Sequence, residues 1–182
     1  IYQTAVQEVR KLLNIEHVCI YKFRPDYFGD FIYESSVNGS PSLVGSAWED
    51  TYVQKHQGGR FRDTEQPFLA DDVYTAGLSE CHIQTLEHFE VKSFVIVAIR
   101  QGGKLWGLLS AFQHSGPRHW LESDVKVLQD ISRQMEVSLK GADYVVQLQE
   151  QSAQMAKAVQ IGRSDSEIIP QIMKAQETEQ IL

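Results

Sequence analysis

Four short stretches of this sequence carry side chains that could do chemistry together. Cys81-His82 follows Ser79, a good helix N-cap, so the thiol stands at the positive end of a helix. A thiol there can act as a covalent anchor by adding to an unsaturated carbon. Trp48-Glu49-Asp50 puts an indole and a carboxylate two residues apart, and an extended or turn segment presents both to one cavity. Arg60 and Arg62 flank Phe61 directly after Gly58-Gly59. A guanidinium there suits a ligand carboxylate. Trp120 follows Pro117-Arg118-His119. Taken singly, each has an ordinary reading. Cys81 is a helix thiol, Asp50 a turn or cap residue, and Trp48, Trp106 and Trp120 are core. A Cys-His catalytic dyad is disfavoured, because neighbours on a helix point about 100° apart. No third residue can be assigned to orient His82.

The elements that must position these groups can be read from hydrophobic spacing. Ala5, Val6, Val9, Leu12 and Leu13 recur at helical steps. A strand follows from His17 to Phe23, then a turn at Asp26 to Gly29, then a strand from Asp30 to Val37 that Asn38-Gly39 interrupts. From Ser40 to Gly77 the periodicity dissolves. A stretch of that length without regular structure inside a compact domain is usually functional. A short helix is expected over Cys81 to Phe89. Strands are expected over Lys92 to Arg100 and Lys104 to Gln113, turning at Gly102-Gly103.

Composition narrows the class. The chain has 182 residues, 42% hydrophobic and 23% charged, with a net charge of −7. That is a globular composition, and its acidity argues against a nucleic-acid or anionic-membrane surface as the main partner. No apolar run approaches the roughly 20 residues that span a bilayer. Two cysteines build no disulfide framework, so a reduced, cytoplasmic setting is expected. Cys19, between Val18 and Ile20, reads as a small buried hydrophobe. His17, His56, His88, His114 and His119 show no metal-ligand spacing, and no metal is expected.

The order and separation of the motifs carry a resemblance. Trp48-x-Asp50, Gln57-Gly58-Gly59-Arg60-Phe61-Arg62, Leu78-Ser79-Glu80-Cys81-His82-Ile83, Leu105-Trp106-Gly107-Leu108-Leu109 and Ser115-Gly116-Pro117-Arg118-His119-Trp120 resemble the red/green cyanobacteriochrome GAF domains of the phytochrome superfamily. The resemblance covers residues 1 to about 145. It implies an α+β GAF fold: a central antiparallel sheet, helices on one face and a chromophore cleft on the other. It implies a photoreceptor that binds phycocyanobilin, a linear tetrapyrrole, and switches by 15Z/15E isomerisation from a red-absorbing dark state to a green-absorbing photoproduct. Cys81 would form the thioether, and His82 would pack against the pyrrole rings. Asp50 would accept from pyrrole N–H groups, and Trp48 would stack near ring D. Arg60 would pair with a propionate, Phe61 would line the cleft, and Trp120 would wall it. No Asp-x-Cys-Phe second thiol is present. Phe61 stands where Tyr is common, Phe112 where His is common, and the stretch Ala98 to Arg100 lacks the usual Pro and Phe. These departures bear on photoproduct colour and dark reversion. The alternative is a GAF domain that senses another small ligand or serves in dimerisation.

Val125, Leu128, Ile131, Met135, Leu139, Ala142 and Val146 recur at steps of three and four, predicting a long helix from about Glu122 to about Ala158. Gly162, Ser164-Asp165-Ser166 and Pro170 predict a linker, with a second helix over Gln171 to Leu182. Residues 1–145 are thus expected as the sensory domain, and 146–182 as a signalling helix and linker. A helix that outruns its domain predicts a parallel homodimer and a path to a downstream signalling module. The resemblance implies a histidine kinase or chemotaxis-type module as that output. The opening inside a helix reads as a piece of a longer protein.

Overall fold

The computed structural model describes the backbone of residues 2–37, 39–46 and 51–179, and side chains among them except 51–52, 158–159 and 161–179. The chain runs α1 (Tyr2–Leu12), β1 (His17–Phe23), β2 (Gly29–Ser36), α2 (Thr51–Lys55), α3 (Arg60–Asp63), β3 (Phe68–Ala70), α4 (Glu80–His88), β4 (Ser93–Gln101), β5 (Lys104–Gln113) and α5 (Glu122–Glu179). The five strands form one antiparallel sheet in the order β2-β1-β5-β4-β3. This is the α+β architecture that the sequence predicts. The strand β3 is an addition: Phe68-Leu69-Ala70 pairs with β4 at the sheet edge, from within the stretch that lacked periodicity. Two short helices, α2 and α3, occupy the same stretch.

The middle strands are buried on both faces, so alternate residues feed two separate cores. Val18 and Ile20 of β1, Val95, Val97 and Ile99 of β4, and Leu109 and Ala111 of β5 join Val6 and Val9 of α1 and Leu128, Met135 and Leu139 of α5. Cys19 and Tyr21 of β1, Phe94 of β4, and Leu108 and Phe112 of β5 face the other way. There they join Leu43, Phe61 of α3, and Leu86 of α4. The long helices therefore share one face. Among the described residues, the other face carries short elements and loops.

The chain divides into two compact units, Ile1–Leu139 and Lys140–Leu182. In the second unit Tyr144, Val145, Val146, Leu148 and Met155 are exposed. The expected linker near Gly162 and Pro170 is corrected, since α5 is helical from Glu122 through Glu179. Propagation adds a hydrogen bond for every residue fixed, so isolated breakers weaken a long helix without ending it. Their cost is about 1 kcal/mol for Gly and about 3 for Pro. None of the described helices is long and apolar enough to cross a membrane.

One buried polar group lies at the end of the second core. His17 of β1 is fully buried, with Nε2 3.1 Å from Glu34 Oε2 and Nδ1 3.2 Å from His114 Nε2. Glu34 also accepts from the Ser42 hydroxyl and, at 2.8 Å, from the Leu43 N–H. Burial pushes the His17 imidazole below its ordinary range, and this outweighs the upward pull of the Glu34 carboxylate. Burial alone would raise the Glu34 carboxyl. The bonds from Ser42 and Leu43, with His17 beside it, hold it below its usual value. The native state thus binds fewer protons at His17 than the unfolded chain, whose histidines titrate near pH ~6.5. Stability should rise with pH through that window and fall as pH drops below it, by at most about 1.4 kcal/mol per pH unit for one proton. A second loss should follow lower, as Glu34 is protonated. Urea midpoints between pH 7 and 5.5 should decline for the parent and decline less for His17→Gln. Equal slopes would show that His17 titrates alike in both states.

Candidate functional site

The site is built on the sheet face opposite α1 and α5. Register lays its floor in transverse rows. One row runs His17, Phe112, Phe94 and Ala70, and the next runs Cys19, Ser110, Ile96 and Phe68. A third runs Tyr21, Leu108 and Ala98. Tyr21 is set edge-on against both Phe23 and Phe31, at 5.2 Å each.

Helix α4 brings His82 to this floor and carries the Cys81 thiol beside it in the chain. Ser79 caps it, its hydroxyl oxygen accepting from the His82 N–H at 3.3 Å. Leu86 is fully buried and pins the helix to the floor. Cys81, one residue into the helix, is exposed, and Cys19 is fully buried. Burial pushes the Cys19 thiol well above the ordinary range, so Cys19 behaves as the apolar residue its neighbours predict. The His82 ring lies nearly parallel to Phe94, at 25° and 6.3 Å, and 5.9 Å from Phe68.

Helix α3 brings the cation. Gly58 precedes it at φ +98 and Gly59 caps it at φ +56, conformations that a side chain resists. A Cβ on Gly58 would also lie 2.5 Å from Leu105 Cδ2. Phe61 is buried, 6.3 Å from Phe68. The Arg60 guanidinium carbon sits 4.1 Å from the Phe68 ring centre, a cation–π contact. Arg62 is turned elsewhere, bonded to Asp63 at 3.0 Å and 3.1 Å and to Gln57 at 3.0 Å.

Three of the seven residues singled out in the sequence thus meet around Phe68, namely His82, Arg60 and Phe61, and Cys81 is the exposed chain neighbour of His82. Trp48 and Asp50 lie outside the described residues. Trp120 does not join the site, which corrects the expectation that it walls the cleft. It belongs to the helix-side core, where its indole N–H donates to Ser93 Oγ at 2.7 Å and to the Ala70 carbonyl at 3.3 Å. Ser93 shares a face with Val95, so the bond holds Trp120 on the far side of the sheet. Trp106 packs against the same core and stacks on Tyr2. Sequence reasoning missed Phe68, the ring that touches Arg60, Phe61, His82 and Phe94. Its signal was the apolar run after Pro67, too short to stand out as a strand.

The GAF domain model matches residues 1–139. The chain belongs to the GAF domain family. Its relatives include a protein of Synechocystis sp. described as a methyl-accepting chemotaxis protein, 34% identical over 152 residues, or 81% of this chain. This GAF chain spans only 15% of that relative's length. Solved structures like it are cyanobacteriochrome and related domains. The far-red-absorbing dark state of one, with bound biliverdin IXα, is 52% identical at a TM-score of 0.74, covering 79% of this chain and 90% of that one. The red-light-absorbing state of a red/green cyanobacteriochrome is 43% identical at 0.72, covering 79% and 94%. The resemblance drawn from the motifs is thereby borne out at the level of family and fold.

The cap on α4 gives a first test of how the site is held. Ser79→Ala removes the acceptor for the His82 N–H. It should lower stability by about 1 kcal/mol, read as a shift of the urea midpoint at unchanged slope. A stability within about 0.2 kcal/mol of the parent would remove the cap from the account.

Proposed function

We propose that this GAF domain is a photoreceptor that holds phycocyanobilin through a thioether at Cys81. The observation that carries the proposal is the exposed Cys81, adjoining in the chain a His82 ring that lies near-parallel to Phe94 and tilted against Phe68, with Arg60 on the same aromatic patch. That set fits the group: a nucleophile for an unsaturated side chain, flat apolar surface for conjugated rings, and a cation for a propionate. Cys81 would hold the group by adding its thiol across the carbon–carbon double bond of the ring A side chain, with a sulfur–carbon bond formed, the thiol proton passed to the neighbouring carbon and nothing leaving. His82 would pack on the pyrrole plane, Arg60 would pair with a propionate, and Phe61 would close the apolar wall. Following the resemblance, Asp50 would accept from the pyrrole N–H groups and Trp48 would border the ring that turns. Bound bilin supplies the light absorption and the isomerising 15,16 double bond. The sensor itself performs no catalysis.

Ala98 gives a route for the signal. It sits in the floor, and its carbonyl accepts from the Ser132 hydroxyl of α5. A repacked floor would therefore be felt by the helix. Output lies with a module beyond this chain, of chemotaxis or kinase type, and the setting is cytoplasmic.

A second bilin has an observation in its favour, because the 52% identical neighbour carries biliverdin. Co-expression with each synthetic pathway separates the two. Phycocyanobilin should give a red-absorbing dark state, a green-absorbing photoproduct and a zinc-fluorescent band on denaturing gels. Cys81→Ala should lose the fluorescent band while keeping its fold by circular dichroism. A colourless parent in both hosts, or bilin still attached to Cys81→Ala after acid denaturation, would overturn the assignment.

The exposed apolar residues of the second unit support a parallel dimer through α5. Truncation after Lys140 should raise the monomer fraction in sedimentation at matched concentration and leave photoconversion in place. Equal monomer fractions would refute the dimer.

A further inference from the structure

We propose that Arg100 is a positioning residue for Arg60, acting as an external cap on α3. The inference rests on Arg60 facing a bilin propionate. Helix α3 has four residues, far below the length at which a helix holds itself in water. Its amide side is partly met from within, since Phe61 N–H donates to the Gly58 carbonyl at 3.2 Å and Arg62 N–H to that of Gly59 at 3.3 Å. Its carbonyl end needs partners from outside.

Arg100 supplies them. One terminal nitrogen, Nη2, donates to the Phe61 carbonyl at 3.0 Å and to the Thr64 carbonyl at 3.1 Å. The other, Nη1, donates to the Arg62 carbonyl at 3.3 Å. Three carbonyls converge on one planar fork, a task that the compact ammonium of a lysine does not match. Arg100 is placed for this by an irregularity in β4: the register with β5 shifts between Ile99 and Arg100, so Arg100 pairs with Leu105. Leu105 in turn lies where a Cβ on Gly58 would be. The tip of the β4–β5 hairpin therefore grips both ends of α3, by side-chain packing at Gly58 and by hydrogen bonds beyond Phe61. Between those grips lie Arg60, over Phe68, and the buried Phe61. Arg100 spends its donors on backbone and sets where Arg60 points.

The test uses the bilin-loaded protein from phycocyanobilin co-expression, with two readouts. The first is backbone amide exchange of residues 58–64 in the dark state. The second is the position and width of the red band. Arg100→Ala should speed exchange in that segment by about tenfold, as expected for lost hydrogen bonds to an exposed element, and leave β1 and β2 unchanged. Its band should move in the direction that Arg60→Ala moves it, and the double variant should move little beyond Arg60→Ala alone. Arg100→Lys keeps the charge and the aliphatic stem, and should still behave like Arg100→Ala. It also decides the matter if the alanine variant folds poorly. Parent-like exchange and spectrum in Arg100→Lys would show that only the charge is needed. Additive band shifts would show that Arg100 meets the bilin itself. Either result overturns the proposal. A parent that takes up no bilin would instead overturn the functional reading, and the exchange experiment on the bilin-free protein would still decide whether Arg100 holds α3.

Discussion

Phe94 is held across the sheet between Phe112 and Ala70, while Val95 beside it points to the helices. This alternation, repeated in β1, β5 and β4, is the constraint on which the molecule depends. A slip of one residue would send the aromatic floor into the helix-side core and the valines into the cleft. Both cores would be lost together. Fold stability and the shape of the binding floor are therefore specified by the same register. The floor also needs no separate scaffold, because the strands that form it are locked from behind by α1 and α5.

The parts of the fold with strong periodicity were legible in the sequence. β1 and β5 end where their apolar runs end, and α4 begins after the Ser79 cap. The stretch from Ser40 to Gly77 was legible only as a region of chemistry. Its elements have three to five residues, too few for any period to emerge, and they are held by tertiary partners rather than by propensity. Phe68 went unseen for that reason. Trp120 was assigned to the wrong side because sequence order cannot tell which face a connector crosses to. The Ser93 hydroxyl, 27 residues away along the chain, fixes that choice. At the far end, Gly162 and Pro170 read locally as breaks, although helix on both sides carries through them.

Polar groups on the cleft side are spent mainly on holding backbone. Glu34 ties the Ser42-Leu43 segment to β2, and Arg100 ties the end of α3 to β4. His114, from past β5, reaches back to the carbonyl of Glu90 at the foot of α4 at 3.1 Å. Each fastens a short or irregular segment to a regular strand. Segments too brief to fold by themselves can then present side chains with fixed geometry, which is what recognition of a rigid ligand requires.

The continuity of α5 sets a rule of phase for whatever follows it. An unbroken helix turns about 100° and rises about 1.5 Å per residue. From Lys140 to Glu179 it therefore works as a shaft on the order of 60 Å long. Any module joined to the end of such a helix would take its azimuth about the helix axis from the residue count of the shaft. One inserted residue would leave the module facing sideways, whereas seven would return it to within about 20° of its original heading. Natural or engineered fusions to this domain should consequently tolerate changes of length in steps of seven far better than changes of one or two.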